Sequence, residues 1–445
     1  MRKLGAYMAA ASRRALPRAV AEKTKHHIID TLAAMVSGSR LAPGAMAISY
    51  VKRLGGVKEA GIAGTRVVTS PVNAALANAM MAHADETDDS HQAAFYHPGC
   101  AVVPAALAVA EREGSNGSAL LSAVALGYDI GCRVNFALGA MRFHLAGHST
   151  HSFGALFGAA AAAGALVRLS PVQARWLLSY TVQQASGISC WMRDPDHIEK
   201  AFDFGGMPAR NGVSAALMVA SGMSGVDDVF AGERNFLFAF GGEDRAAELT
   251  RGLGARYEIL DANIKKWSVG SPIQAALDSM QELIRCHGLQ AGDIKKVKIQ
   301  VQDHEAAIVN DRDMPDICLQ HLIAVMLLDG TVTFATSHDD ARMKDRRVLD
   351  LRKKIELCGS AELTRSGGRQ AIVEVWLRDG RRVAHHTQAV KGTSANPMTR
   401  AEVDEKCVDL LAPVLGGRKT RTLIDAVWNL EKLKDVRTLR PLLQA

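Results

Sequence analysis

Residues 154–167 (GALFGAAAAAGALV) carry no polar side chain, and this run constrains the fold more than any other. Ala and Leu favour helix, and a helix without a polar face has to be buried on every side. Its small side chains let neighbouring backbones approach closely. At 14 residues it is too short to cross a bilayer, and no apolar run in the chain reaches the ~18–20 that a span needs. A soluble helical core built around this segment is therefore expected.

The first 250 residues extend that reading. In residues 23–36, Ile28, Ile29, Leu32, Ala33 and Val36 fall on one helical face, and Gly38 follows as a stop signal. Residues 71–84, 101–111, 118–134, 171–184 and 213–221 predict further helices. The pattern changes after about residue 262. Val297, Ile299 and Val301 alternate with Lys and Gln, as in a strand with one wet face. Residues 372–377 and 383–388 flank Asp379-Gly380, a hairpin signal. A helix is predicted between these strands, over 318–328, and helix returns over 400–443. The expected fold is mainly α with α+β: a large all-helical domain (1–262 and 395–445) with a smaller α+β domain (263–394), the lid of the family resemblance given below, inserted in it. A length of 445 residues suits two or three domains at roughly 100–200 residues each.

Charge narrows the partners. Lys plus Arg is 53 and Asp plus Glu is 46, for a net charge of +7. Much of the surplus lies in residues 342–354 (RMKDRRVLDLRKK), where no aromatic residue interleaves. That is a solvated helix face, so neither nucleic acid nor membrane is an expected partner. The seven cysteines are scattered and never spaced C-x-x-C, which argues against a disulfide framework or a zinc ribbon. The N-terminal apolar patch, broken by Arg13 and Arg14, is shorter than a usual signal peptide, so the cytoplasm is the expected compartment.

Four clusters carry the candidate chemistry. Residues 83–98 (HADETDDSHQAAFYHP) hold three histidines and four carboxylates between two apolar helices. The cluster reads as a helix cap, a metal site or a metal-free acid/base site; the last is the reading taken. Residues 147–154 (GHSTHSFG) place His148 and His151 at the start of the small-residue helix, where amides favour anions. Lys265, Lys266 and Ser271 precede a helix near Pro272, a corner suited to carboxylates. Arg210 is a further candidate carboxylate clamp. The chain has no Walker loop, G-x-G-x-x-G or G-x-S-x-G, so nucleotide binding and α/β-hydrolase chemistry lack support.

These clusters resemble the MmgE/PrpD family, which includes 2-methylcitrate dehydratase, cis-aconitate decarboxylase and iminodisuccinate epimerase. Asp88, Asp89, His91, His97 and Pro98 match the family's H-A-x-D-F-D-D-T-H-x5-H-P, with Glu86 and Ser90 as substitutions. The resemblance puts His148 in the place of a catalytic histidine in G-x-H-P-T-x-T-F-G, with His151 an addition. It matches Lys265 to the lysine of F-K-P-Y-P, and sets His321 where some members carry a catalytic Tyr. In T-K-R-L-H-A-G-R the Arg is kept as Arg210, but the catalytic Lys becomes Phe204 and the His becomes Met207. The Arg and His beyond Lys265 become Ser271 and Gln274.

The resemblance implies a cofactor-independent enzyme, commonly a homodimer, acting on a small di- or tricarboxylate. The expected catalytic set is His97 with His148, tuned by Glu86 and Asp88 and assisted by Lys265. The expected substrate contacts are Ser90, His91, His151, Arg210, Lys266, Ser271 and His321. No cofactor or metal is expected. Dehydration is the expected reaction, with epimerisation, decarboxylation and a non-catalytic metabolite-binding dimer as alternatives. The lost cations point to a substrate with fewer charges than cis-aconitate, or with another arrangement of them.

Overall fold

The computed structural model describes residues 1–11 and 14–445; Arg13, named above, lies outside them. The chain is mainly helical, with a small mixed sheet in its C-terminal part. It forms two compact units: Met1–Asn263 with Leu410–Ala445, and Ile264–Asp409. No helix among the described residues is long and apolar enough to cross a membrane.

In the first unit the main helices are α1 (Arg18–Gly38), α2 (Pro71–Ala82), α3 (Gly99–Glu113), α4 (Gly117–Leu138), α5 (Thr150–Leu166) and α6 (Met207–Ala220). Every residue of α5 is buried, as its composition requires. It packs most closely on α4 through two glycine pairs. A Cβ on Gly131 would come 2.5 Å from the Gly154 carbonyl oxygen, and one on Gly158 would come 2.7 Å from that of Gly127. The four-residue spacing in both helices puts these glycines on one facing ridge. Gly38 is also a contact residue: a Cβ there would meet the Met81 carbonyl oxygen at 1.9 Å. The C-terminal return is tied down by Arg440, whose guanidinium holds the buried Glu111 carboxylate of α3 at 2.7 Å.

A buried carboxylate fixes the histidine-rich loop to this scaffold. Asp89 accepts hydrogen bonds from His27 Nδ1 at 2.6 Å, the Tyr128 hydroxyl at 2.5 Å and the Gly99 amide at 2.8 Å. Burial alone would raise its pKa, but the His27 and Tyr128 donors outweigh burial and hold it below the usual range. One side chain thereby joins α1, the start of α3 and α4.

The second unit is a four-stranded sheet with helices. Strands β1 (Ile294–Gln302), β2 (Ile355–Ser360), β3 (Ala371–Leu377) and β4 (Arg382–Thr387) lie in the order β2-β1-β3-β4. β1 pairs parallel with β2 and antiparallel with β3, and β3–β4 is the hairpin around Asp379-Gly380. Val297, Ile299, Val301, Val373 and Val375 form the inner face, joined by Leu277, Met280 and Leu283 of α7 (Gln274–His287). On the outer face, Lys296 and Arg382 lie over the Trp376 ring at 5.8 and 5.1 Å. α8 (Leu319–Asp329) is buried along most of its length and carries His321 into the core.

His321 is 0% exposed, and neither ring nitrogen has a hydrogen-bond partner among the described residues. Burial pushes its pKa down to about 4, with Arg352 and Arg342 adding to the effect. The unfolded chain therefore takes up a proton near pH 6.5 that the folded state refuses until about pH 4. Stability should fall as pH drops through that window, by up to about 3 kcal/mol from this group. His321→Phe should flatten that slope in urea denaturation series at pH 4.5 and 7. Asp89→Ala should cost about 3–5 kcal/mol of unfolding free energy at pH 7, because it strands His27 and Tyr128.

Candidate active site

Asp88 is the centre of the site in the first unit. It is 0% exposed, and its two oxygens face two imidazoles: His97 Nδ1 at 3.1 Å and His83 Nδ1 at 3.0 Å. Burial raises its pKa, but the two histidines overcome burial and hold it well below the usual carboxylate range. A carboxylate on Nδ1 favours the Nδ1–H tautomer and leaves Nε2 as the basic nitrogen. His83 is wholly enclosed, whereas the His97 side chain is 12% exposed. Of this pair, His97 is therefore the imidazole that can meet a ligand.

The neighbours of His97 come from three parts of the chain. The loop before it closes on itself, with the His91 and Tyr96 main chains paired and Phe95 at φ 52°. Asn135 then donates from one amide to the carbonyls of Ala94 and Thr150, both at 2.9 Å. The Thr150 hydroxyl donates to the Phe95 carbonyl at 2.7 Å. These bonds dock the loop onto the first turn of α5 and set the His97 and His151 rings 5.4 Å apart. Ser149 caps α5, accepting from the Ser152 amide, and donates its hydroxyl to the buried Asp203 carboxylate. Burial pushes the Asp203 pKa up to about 7.

Asp203 belongs to a π-helical turn, Phe202–Gly206, that precedes α6. Such turns recur at functional sites because the extra residue re-aims its neighbours. Here the turn presents Phe204 between two imidazoles. Its ring stacks on His151 at 3.7 Å and on His83 at 4.3 Å. Trp191 stands perpendicular to both Phe204 and His151, at 4.6 and 5.4 Å. His197, with φ 59°, adds a fourth imidazole 5.1 Å from His83. Burial, reinforced by neighbouring cations and imidazoles, pushes His151 and His197 well below their ordinary pKa, so both rings are neutral. The Lys200 ammonium lies 5.3 Å over Phe204 and 5.7 Å over Trp191 and is ion-paired with Glu86.

Among the described residues, two trios offer metal-ligand atoms within 4.8 Å of one another: His83 with Glu86 and His197, and His83 with Asp88 and His97. Imidazoles with a carboxylate suit Zn, Fe or Mn. In the structure, however, Asp88 is engaged by two imidazoles and Glu86 by an ammonium.

Several expected residues lie elsewhere. His148 was expected to partner His97, but its ring stacks on Phe143 at 4.3 Å and meets Phe240 edge-on at 5.7 Å. It precedes the helix cap, whereas His151 lies in the first turn, so His151 is the imidazole that faces His97. His91, expected at the substrate, is 1% exposed and accepts the Ala94 amide at 3.1 Å, with burial lowering its pKa to about 4. It shapes the loop. Ser90 pairs through its main chain with Asn263, and its buried hydroxyl has no partner among the described residues. Arg210 lies 5.7 Å over Phe202 and bonds the Asn211 side chain at 3.0 Å.

Lys265, Lys266, Ser271 and His321 belong to the second unit. Lys265 and Ser271 are buried there, while the Lys266 ammonium lies 4.5 Å over Trp267. His321 is a core residue, not an open substrate contact. Gln274 holds the loop before α7 by donating to the Trp267 and Val269 carbonyls. Sequence reasoning counted His83 in the 83–98 cluster without giving it a role, and missed Trp191, His197 and Lys200 as site residues. The only signal for these three was a polar, aromatic-bearing stretch between two apolar helices, with Phe204 standing out as a substitution.

Residues 2–248 match the MmgE/PrpD N-terminal domain, and residues 267–432 match the MmgE/PrpD C-terminal domain. The cis-aconitate decarboxylase-like protein oryM of Aspergillus oryzae (strain ATCC 42149 / RIB 40) is 24% identical, over 96% of this chain and 94% of its own length. The cis-aconitate decarboxylase of Homo sapiens is 25% identical, over 96% of this chain and 90% of its own. With both domains matched in order along the chain, it belongs to the MmgE/PrpD family.

Proposed function

We propose that this chain is a cofactor-independent lyase that removes a proton next to a carboxylate of a small hydroxy-polycarboxylate and expels the hydroxyl as water. The observation that carries the reading is His97, oriented by the buried Asp88 and facing the neutral His151. A carboxylate-oriented imidazole is a general base, and the Asp88 charge stabilises the imidazolium it becomes. In the reaction, His97 Nε2 takes the proton and the C–H electron pair forms the new double bond. The C–O bond breaks, and the leaving hydroxyl takes a proton from the imidazole pair to depart as water. His151 is placed to share that proton or to return one to the opposite face.

Epimerisation uses the same groups, and decarboxylation is the reaction in the names of the two relatives. Phe204, which stands in the imidazole stack where the resemblance puts the lysine of the decarboxylases, supports dehydration over decarboxylation. The homodimer common in the family and a cytoplasmic location belong to the same reading.

Proton NMR of the protein in D₂O with a panel of di- and tricarboxylic acids tests the reaction. An olefinic product with loss of a hydroxy acid supports dehydration. Deuterium entering the α-carbon without net conversion replaces it with epimerisation, and loss of carbon dioxide replaces it with decarboxylation. Turnover should persist after exhaustive dialysis against EDTA; loss restored by one metal ion would assign the imidazoles to a metal instead. His97→Ala should lower kcat at least about a hundredfold. His151→Ala should cost more than His148→Ala, and the reverse order would return the second role to His148.

A further inference from the structure

Three buried ring nitrogens around Lys200 have no hydrogen-bond partner among the described residues: His151 Nδ1, His197 Nε2 and Trp191 Nε1. Buried polar atoms are almost always paired, so three such orphans beside one ammonium mark a place built for a ligand. Their chemistry selects its sign. The indole N–H and the ammonium are donors without acceptor capacity, and neutral imidazoles supply one donor each. A metal cation satisfies neither Trp191 nor Lys200, whereas an anionic oxygen pair satisfies both. The Phe204 and Trp191 rings shield the ammonium from water on two sides, which strengthens its attraction for a negative charge.

Glu86 explains how this charge is held before a ligand arrives. Its carboxylate is ion-paired with Lys200, with side chains 12% and 19% exposed. We infer that Lys200, with Trp191 and His197, forms the carboxylate-binding subsite of this imidazole cluster, and that Glu86 is a built-in carboxylate the ligand displaces from the ammonium. The inference rests on the polycarboxylate reading above and names the residues that would receive one carboxylate. It also accounts for a site that keeps a cation beside the stack although position 204 carries a phenyl ring.

The test is calorimetric titration of the full chain with tricarballylate, a tricarboxylate without a hydroxyl to expel. Lys200→Met should weaken binding at least about thirtyfold, and Lys200→Arg by less than about fivefold. Glu86→Gln should tighten binding about threefold or more, because it removes the competing charge. A merely structural ion pair gives the opposite sign, with Glu86→Gln weakening binding alongside Lys200→Met, and that result overturns the inference. Unchanged affinity in folded Lys200→Met also overturns it, while leaving the polycarboxylate reading intact. If Lys200→Met does not fold, the signs for Lys200→Arg and Glu86→Gln decide. Wild-type protein that neither binds tricarballylate nor turns over any acid in the NMR panel sinks both.

Discussion

A single ionised carboxylate with no access to water, Asp88, holds the centre of the site. An uncompensated charge there would be very costly, so it demands partners, and two imidazoles supply them from opposite ends of one short loop. Because the His97 Nδ1 is hydrogen-bonded to Asp88, that ring is fixed in tautomer and orientation, and His83 stands 3.0 Å from the other oxygen. The next residue, Asp89, does the same for the scaffold, drawing α1, α3 and α4 onto the loop. Adjacent acids thus divide the work: one faces inward to the helices, the other across to the imidazoles.

The rest of the site follows from how segments are docked onto that loop. Asn135 and Thr150 bring α5 to it, and the Ser149–Asp203 bond brings the π-turn to α5. Phe204 then enters between His83 and His151 as an uncharged spacer. Burial keeps His151 and His197 neutral, which avoids a row of mutually repelling cations.

Local composition made much of the fold legible. The α5 run could only be a buried helix, and alternation over 297–301 could only be a half-wet strand. The family resemblance also stood in the motif around His97. What stayed illegible depended on register and long-range docking. His148 and His151 are three residues apart, and the position of the Ser149 cap decides which one faces His97. No periodicity marks a π-turn, so Phe204 read as a loss of charge when it is a packed wall. Lys200 and His197 lie over a hundred positions from Glu86 and His83, and only the folded chain brings them together. The resemblance sets His321 where some members carry a catalytic Tyr, yet α8 takes it into an apolar core.

The paired glycines between α4 and α5 bear on how such a site can change over time. Where two main chains touch, no larger residue can enter either helix without prising the seam open, so the spacing between the elements behind His97 and His151 is inherited as a unit. Innovation is thereby channelled into the turns that deliver rings and charges to the seam's end. A side chain in those turns, such as Phe204, can then change without moving the helices that carry His151 and dock the His97 loop.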